Sequence, residues 1–171
     1  PLGVGPALHD VLGKGVAGAG DVNGDGFADV IIGARLYDNG ESGEGAAFVY
    51  LGGAGAFNTT PDAQLEPNQA GAALGSSVAG AGDVNGDGFA DVIVGAWFYD
   101  NGQTEEGAAF LYFGGAGVFN TVADAQLESN QADSSLGFSV AGAGDVNGDG
   151  FADVVVGAFR FDSGESNEGA A

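Results

Sequence analysis

The stretch VAGAGDVNGDGFADV at residues 16–30 decides the fold, and it returns unchanged at residues 78–92 and 140–154. The copies are 62 residues apart, so the chain consists of tandem repeats of that length. Within each copy, DVNGDGFAD places oxygen-bearing side chains at positions 1, 3, 5 and 9, and a glycine at position 6. This pattern is typical of a short loop around a hard cation, because the glycine permits the sharp reversal that gathers the oxygens. We therefore predict one calcium-binding loop in each repeat.

Five groups of each loop are predicted to bind the ion: three aspartates, one asparagine and the backbone carbonyl at position 7. Without a cation, the three carboxylates would crowd together and repel one another. The chain therefore has three predicted Ca²⁺ sites. Their ligands are Asp21, Asn23, Asp25, the Phe27 carbonyl and Asp29 in the first loop; Asp83, Asn85, Asp87, the Phe89 carbonyl and Asp91 in the second; and Asp145, Asn147, Asp149, the Phe151 carbonyl and Asp153 in the third.

The loop differs from an EF-hand in two respects. An EF-hand has a bidentate glutamate at position 12, but that position here holds Ile32, Val94 or Val156. An EF-hand is also flanked by helices, whereas VAGAG precedes this loop and ADVIIGA or a close variant follows it. The following segments are short and β-branched and end at Gly-Ala, which indicates buried strands. We therefore expect a calcium-binding turn between two strands.

The rest of each repeat predicts two further strands. The segments at residues 43–53 and 105–115 contain aromatic and aliphatic runs closed by two glycines, which indicates a third strand. DAQLE, beginning at Asp62 and again at Asp124, indicates a short outer strand. The first strand is almost pure glycine and alanine, which suits sheets that crowd around an axis. The predicted fold class is therefore all-β, with β-propeller-type blades of four antiparallel strands and a calcium loop between the first two strands of each blade.

The chain resembles the FG-GAP repeats of the integrin α-subunit β-propeller and of many bacterial surface proteins. The resemblance covers residues 12–171 and departs from the family at two positions: leucine replaces the phenylalanine of "FG", and Arg35, Trp97 and Phe159 replace the proline of "GAP". It implies a calcium-stabilised extracellular module whose calcium loops lie opposite the ligand-binding face. The matching residues outside the acidic loops are Leu12-Gly13, Leu74-Gly75 and Leu136-Gly137, together with Gly33-Ala34, Gly95-Ala96 and Gly157-Ala158.

The repeat length divides the chain into four parts. Residues 12–73 and 74–135 are two full repeats, and residues 136–171 are a third repeat without its third and fourth strands. Residues 1–11 are an N-terminal segment that could supply a strand to another blade. Such an incomplete set of blades is expected either in a fragment of a larger propeller or in a subunit whose copies complete one another's blades and assemble into a fibre or matrix.

The composition excludes several classes of partner. The chain has 24 acidic and 3 basic residues and a formal charge of −21, and three bound Ca²⁺ ions would change this charge to −15. Nucleic acids and anionic lipids both require a positive surface, so neither is an expected partner. No run of apolar residues is long enough for a membrane span. Open acidic loops suit millimolar calcium, so we expect an extracellular or cell-surface location.

Nothing in the sequence indicates catalysis. The chain has no cysteine and one histidine, and its polar groups recur identically, as structural elements do. We therefore predict a non-enzymatic protein, with further repeats or other copies of itself as partners and an extracellular protein or glycan as ligand. The aromatic residues that follow the second strands could contact such a ligand, but packing between blades is the simpler interpretation. A second cation site at Asp38, Glu41 and Glu44 is the less favoured alternative to a plain turn.

Overall fold

The computed structural model describes residues 12–56 and 59–171, and this part of the chain forms three antiparallel sheets. The first sheet contains β1 (Leu12–Gly20), β2 (Asp29–Ala34), β3 (Ala46–Tyr50) and β4 (Ala63–Leu65). The second contains β5 (Ser77–Gly82), β6 (Asp91–Ala96), β7 (Ala108–Tyr112) and β8 (Ala125–Glu128). The third contains β9 (Leu136–Gly144) and β10 (Asp153–Ala158).

Within each sheet, consecutive strands of the chain pair with one another, so the first two sheets are simple four-stranded meanders. This arrangement confirms the predicted all-β class and the four-stranded, blade-like sheets. In the third repeat, Ala158 at the end of β10 forms an antiparallel bridge with Ala170, at the position where β3 and β7 begin in the other repeats. The strand proposed for residues 1–11 lies outside the described residues, and the repeat boundaries stay a prediction.

The two central strands of the second sheet, β6 and β7, are buried on both faces. Along β6, Val92 and Val94 face the first sheet and join its core, while Ile93 points the other way and packs with residues of β9 and β10. This alternation follows from the period-two geometry of a strand. It explains why the sequence of β6 is continuously apolar, since a strand between two neighbouring sheets has no solvent-facing side.

The innermost strands approach one another so closely that only glycine fits at the contact. A Cβ atom built on Gly80 of β5 would lie 2.6 Å from the carbonyl oxygen of Gly18 in β1. A Cβ atom on Gly142 of β9 would clash with the carbonyl oxygen of Gly80 in the same way. The structure therefore confirms that the small residues of VAGAG allow close packing between sheets.

A glutamine side chain also links each repeat to the next. The Gln69 side-chain amide donates to the carbonyl oxygen of Asp100 at 2.8 Å, and its Oε1 accepts the Asp100 backbone N–H at 2.7 Å. Gln131 makes the same pair of hydrogen bonds to Asp162, at 2.9 and 2.6 Å. Both amide groups are thereby satisfied by the backbone of the next repeat.

The aromatic residues after the second strands pack within and between sheets. Tyr37 meets Phe48 of its own sheet edge to face, with ring centroids 5.3 Å apart. Trp97 lies 5.3 Å from Phe138 and 6.1 Å from Phe159, both in the third repeat. These contacts support the packing interpretation for Tyr37 and Trp97. No helix in residues 12–56 and 59–171 has the length and apolar character needed to cross a bilayer.

Candidate metal centre

The three acidic loops occupy equivalent positions in the three sheets. Each one connects the first strand of its sheet to the second, at the same edge. In the first repeat, the pairing of β1 with β2 shifts register between Gly18 and Gly20 and ends where Gly20 faces Asp29. Gly20 has a φ of 82°, a left-handed conformation that glycine adopts without strain. Gly82 and Gly144 have the same conformation at the start of the other two loops, with φ of 77° and 69°. The chain returns to the first sheet at Asp29, the first residue of β2.

The first aspartate of each loop organises the loop backbone. Oδ1 of Asp21 accepts the N–H groups of Gly24 and Asp25 at 2.7 and 3.1 Å, and its Oδ2 accepts the Gly26 N–H at 2.8 Å. Asp83 and Asp145 make the same three contacts in their own loops. Three N–H groups directed at one carboxylate hold the loop closed around it.

The side chains at positions 3 and 5 continue this pattern. Asn23 Oδ1 accepts the Asp25 N–H at 3.0 Å, and Asp25 Oδ1 accepts the Phe27 N–H at 2.9 Å. The Asn23 amide also donates to Asp25 Oδ2 at 3.1 Å. These contacts fix the amide and carboxylate groups on the inner side of a tight turn. Each oxygen still has a second lone pair, so the contacts do not exhaust its capacity as a metal ligand.

The aspartate at position 9 joins the loop to the rest of its sheet. Asp29 is buried, and its two oxygens accept the N–H groups of Val22 at 2.7 Å and Gly52 at 2.6 Å. Gly52 lies just beyond β3, so this one carboxylate connects the loop with the end of the third strand. Asp91 bonds in the same way, to Val84 and Gly114, at 2.8 Å each. This cross-link is a structural role that the ligand pattern did not reveal.

The carboxylates of one loop influence one another's protonation. Burial raises the pKa of Asp29, the nearby charges of Asp25 and Asp21 raise it further, and the N–H groups of Gly52 and Val22 oppose the rise. The same causes raise the pKa of Asp91. In the exposed third loop, hydrogen bonds from the backbone, chiefly from Gly150, lower the pKa of Asp145. Like charges therefore lie close enough together for a bound cation to relieve their repulsion.

The loops fit a hard cation by the chemistry of their donors. Carboxylate, amide and carbonyl oxygens are the ligands that Ca²⁺ takes in proteins, and every predicted ligand lies within one loop. Within the described part of the chain, no three Asp, Glu or His side chains already stand together as a ready-made metal cage. The carboxylates are instead held by backbone N–H groups of the same turn. The assignment of the fifteen ligands therefore stays a prediction.

Neighbouring loops touch. The Ala90 N–H, in the second loop, donates to the carbonyl oxygen of Asp21 in the first at 3.0 Å. The ring of Phe89 lies so close to Gly24 that a Cβ there would clash with it. The second and third loops repeat both contacts, through the Ala152 N–H to the Asp83 carbonyl at 2.9 Å and through Phe151 against Gly86. The three candidate sites therefore form a continuous row along one edge of the molecule.

Glu44 has a structural role that explains the second acidic segment. Its side chain is buried, and Oε1 accepts the N–H of Asn39 at 2.7 Å and that of Glu41 at 3.4 Å. Glu106 is equally buried and accepts the N–H groups of Asn101 and Gln103. The carboxylate thus closes a turn, as the simpler interpretation of this segment predicted. The sequence did not reveal that Glu44 is buried, because its neighbours in the chain are polar residues and glycines.

Comparison with known sequences agrees with this geometry. The sequence model of the FG-GAP repeat matches residues 15–50, 74–112 and 136–171, which contain the acidic loops and all or most of every strand except β4 and β8. The chain belongs to the FG-GAP repeat family.

The relatives of this FG-GAP protein include integrin α subunits. It is 36% identical to integrin alpha-5 of Xenopus laevis over 154 residues, which are 85% of this chain and 14% of that protein. It is 36% identical to integrin alpha-V of Gallus gallus over 153 residues, 84% of this chain and 14% of that protein. Integrin alpha-6 of Homo sapiens is 34% identical over 139 residues, which cover 80% of this chain and 12% of that protein. The chain therefore spans about one seventh of the length of the first two relatives.

Proposed function

We propose that this chain is a calcium-binding extracellular module with a structural and adhesive role, in which Ca²⁺ stabilises the β-sheets. The observation that carries the proposal is the row of three acidic loops, each with its carboxylates held on one turn. The predicted ligands named above for each loop would hold one ion. A bound Ca²⁺ would supply positive charge where Asp21, Asp25 and Asp29 repel one another.

The position of the loops supports a stabilising role. Asp29 connects its loop to the end of β3, and the Asp21 carbonyl connects the same loop to the next sheet. An ion that fixed one loop would therefore restrain two sheets. A ligand that binds only the folded state adds about 2.7 kcal/mol at a hundredfold excess over its dissociation constant, so three independent sites would add roughly 8 kcal/mol.

We further propose that the role is adhesive and not catalytic, and that the protein works outside the cell or on its surface. The support is the membership of the FG-GAP family and the similarity to integrin α subunits. The polar groups also recur in every repeat and bond to the backbone, as structural groups do. An extracellular protein or glycan is the expected ligand, and further repeats or other copies of the chain are the expected neighbours.

A second candidate is a subunit that assembles into an extracellular fibre or matrix. It is favoured by the exposed apolar side chains on the outermost sheets, where Val16 and Phe27 of the first repeat and Val155 and Phe159 of the third lie open to solvent. Such surfaces suit packing against another repeat. Negative-stain microscopy in calcium separates the candidates: discrete particles support the adhesive module, and filaments support the fibre.

Thermal melts with and without EGTA test the role of calcium. We expect millimolar calcium to raise the melting midpoint by on the order of 20 °C, the shift that corresponds to three occupied sites in a chain of this size. Equal midpoints in calcium and in EGTA would refute the structural role of the ion.

A matched pair of variants tests whether the acidic loops bind the calcium. Asp87→Asn removes one charge but keeps an oxygen that can accept the Phe89 N–H, now at 2.9 Å. Glu165→Gln removes one charge from an exposed turn outside the loops. Calorimetric titration should show one calcium site lost or weakened at least about tenfold in Asp87→Asn, because ligand charge sets affinity. Glu165→Gln should bind calcium as the parent chain does.

A further inference from the structure

Five Asn-Gly pairs occur in the chain, and the structure divides them into two classes. Three lie in the acidic loops, where each asparagine is followed by the glycine at position 4. The other two, Asn39-Gly40 and Asn101-Gly102, lie in the turns after β2 and β6, at the opposite edge of the sheets. Asn-Gly is the dipeptide most prone to deamidation, because glycine has no side chain to shield its backbone nitrogen.

The reaction requires a free glycine nitrogen. That nitrogen loses its proton to solvent base and attacks Cγ of the asparagine side chain, the new C–N bond closes a five-membered succinimide, and ammonia leaves. Water then opens the ring at either carbonyl and gives aspartate or isoaspartate. A hydrogen bond from the glycine N–H to a protein acceptor must break before the attack.

In the acidic loops that hydrogen bond is present in every copy. The N–H groups of Gly24, Gly86 and Gly148 donate to Oδ1 of the first aspartate of their loops, at 2.7, 2.6 and 2.6 Å. The acceptor is a carboxylate, which makes the bond stronger than one between neutral groups. The side chain of Asn23 is itself held at both ends by Asp25. Neither partner of the reaction is free to move toward the other.

In the two turns the glycine nitrogen is unprotected. Glu44 accepts the N–H groups on either side of Gly40, from Asn39 and Glu41, but no hydrogen bond in the described residues involves the Gly40 N–H. The Gly102 N–H is likewise without an acceptor in the described chain. Both pairs are exposed to water. Exposure alone does not separate the classes, because Gly24 and its counterparts are exposed as well.

We propose that Asn39 and Asn101 are sites of spontaneous deamidation, and that the first aspartate of each acidic loop protects the asparagine two residues later. The third repeat carries Ser163-Gly164 at the corresponding turn, so it has no such site. The inference does not depend on calcium binding, because the protecting hydrogen bonds are made by the chain itself.

The modification would alter the contact between this turn and the end of the outer strand. The side-chain amide of Asn39 donates to Oε1 of Glu66 at 2.5 Å, and that of Asn101 donates to Oε1 of Glu128 at 2.5 Å. Deamidation replaces each donor with a carboxylate, so an attractive contact becomes a repulsion between like charges. It would also add two negative charges to a chain that has only three basic residues.

Peptide mapping by mass spectrometry tests the proposal. The folded chain is incubated in mildly alkaline buffer, in parallel samples with calcium and with EGTA, and digested after increasing times, and the fraction deamidated at each asparagine is measured. We expect Asn39 and Asn101 to deamidate about tenfold faster or more than the three loop asparagines, the factor expected when a hydrogen bond to a charged acceptor must first break. The proposal would be overturned by comparable deamidation rates at all five pairs. It would also be overturned if Asn39 and Asn101 were not deamidated in the folded chain.

Two controls isolate the effect of the fold. In urea, all five pairs are unprotected, so their rates should converge to within about threefold; a surviving difference would mean that neighbouring sequence, and not the hydrogen bond, sets the rate. Asn39→Ser with Asn101→Ser copies the third repeat. On native isoelectric focusing, this variant should keep a single band while the parent chain develops more acidic bands. Acidic bands of equal intensity in both proteins would place the modification elsewhere.

Discussion

At Gly80, the absence of a side chain lets the carbonyl oxygen of Gly18 enter the space where a Cβ would stand. The equivalent position in the first repeat is Gly18 itself, and a Cβ built there meets nothing within 4 Å. Neither glycine has a positive φ, so the two positions differ in their surroundings and not in backbone conformation. They therefore form a natural pair for measuring how much the contact between inner strands contributes to stability.

We predict that Gly80→Ala lowers the free energy of unfolding by about 1–3 kcal/mol, because the added methyl forces the inner strands apart. For a chain of this size, this corresponds to a fall of roughly 3–10 °C in the melting midpoint. Gly18→Ala should be neutral or stabilise by up to about 1 kcal/mol, since alanine reduces the entropy of the unfolded chain. Thermal melts of both variants in calcium measure the difference; equal destabilisation would show that glycine is required for another reason.

At the scale of the elements, hydrogen bonds to backbone groups join the sheets in addition to the packing of apolar side chains between them. The Gln69 clamp on Asp100, the Ala90 N–H on the Asp21 carbonyl and the Gly115 N–H on the Val22 carbonyl all join the first repeat to the second. Because the backbone is the same in every repeat, these contacts recur with little demand on sequence. Gln69 is an exception, since the contact needs a side-chain amide that supplies both a donor and an acceptor.

We predict that Gln69→Ala destabilises the fold by about 1–2 kcal/mol, the loss expected for two partly exposed hydrogen bonds. Gln103→Ala is the control, because the Gln103 side chain is exposed and only its backbone N–H forms a bond. Urea denaturation followed by tryptophan fluorescence suits the measurement, since Trp97 lies near this junction. A midpoint for Gln69→Ala equal to that of Gln103→Ala would mean that the clamp contributes nothing to stability.

For the whole molecule, the dominant electrostatic feature is a formal charge of −21 on 171 residues. Self-repulsion of this size disfavours the compact state, and dissolved salt weakens it because the screening length falls from ~30 Å at 0.01 M to ~8 Å at 0.15 M. Three bound Ca²⁺ ions would remove six negative charges, at the positions where they are most crowded.

We predict that the melting midpoint in EGTA rises with NaCl concentration, and that the rise is smaller in calcium, because the bound ions have already neutralised part of the repulsion. KCl should act like NaCl, since screening does not depend on the identity of the monovalent ion. Thermal melts over a series of salt concentrations give both slopes. Parallel slopes in EGTA and in calcium would argue that the ions leave the overall charge balance unchanged.

The elements of the fold could be predicted from the sequence because their signals are local. The β-branched run after each acidic loop became β2, β6 and β10, and the recurring DAQLE became β4 and β8. The loops were predictable as loops for the same reason, since glycine and aspartate define the turn within nine residues. The glycine-rich inner strands were explained correctly by crowding, since only a close neighbour makes such a sequence suitable for a sheet.

The contacts across long sequence separations were not predictable. Gln69 meets Asp100, and Asp29 meets Gly52, only because the sheets bring those segments together. Glu44 was grouped with Asp38 and Glu41 as a cation ligand or a turn residue, and its complete burial has no sign in a local pattern of charges. Asn23 and Asn39 are both followed by glycine, so the sequence alone does not distinguish them. The difference lies in the hydrogen bond to the Gly24 N–H, which depends on the geometry of the loop.

The two junctions between successive repeats are built from the same parts: glycine against glycine, phenylalanine over glycine, and glutamine on an aspartate backbone. Recombination that duplicated or deleted one 62-residue unit would therefore rejoin surfaces that already match. Genes for such proteins can lengthen or shorten in whole units without any compensating mutation. A substitution at one of these contact positions, by contrast, would weaken the junction between that repeat and its neighbour.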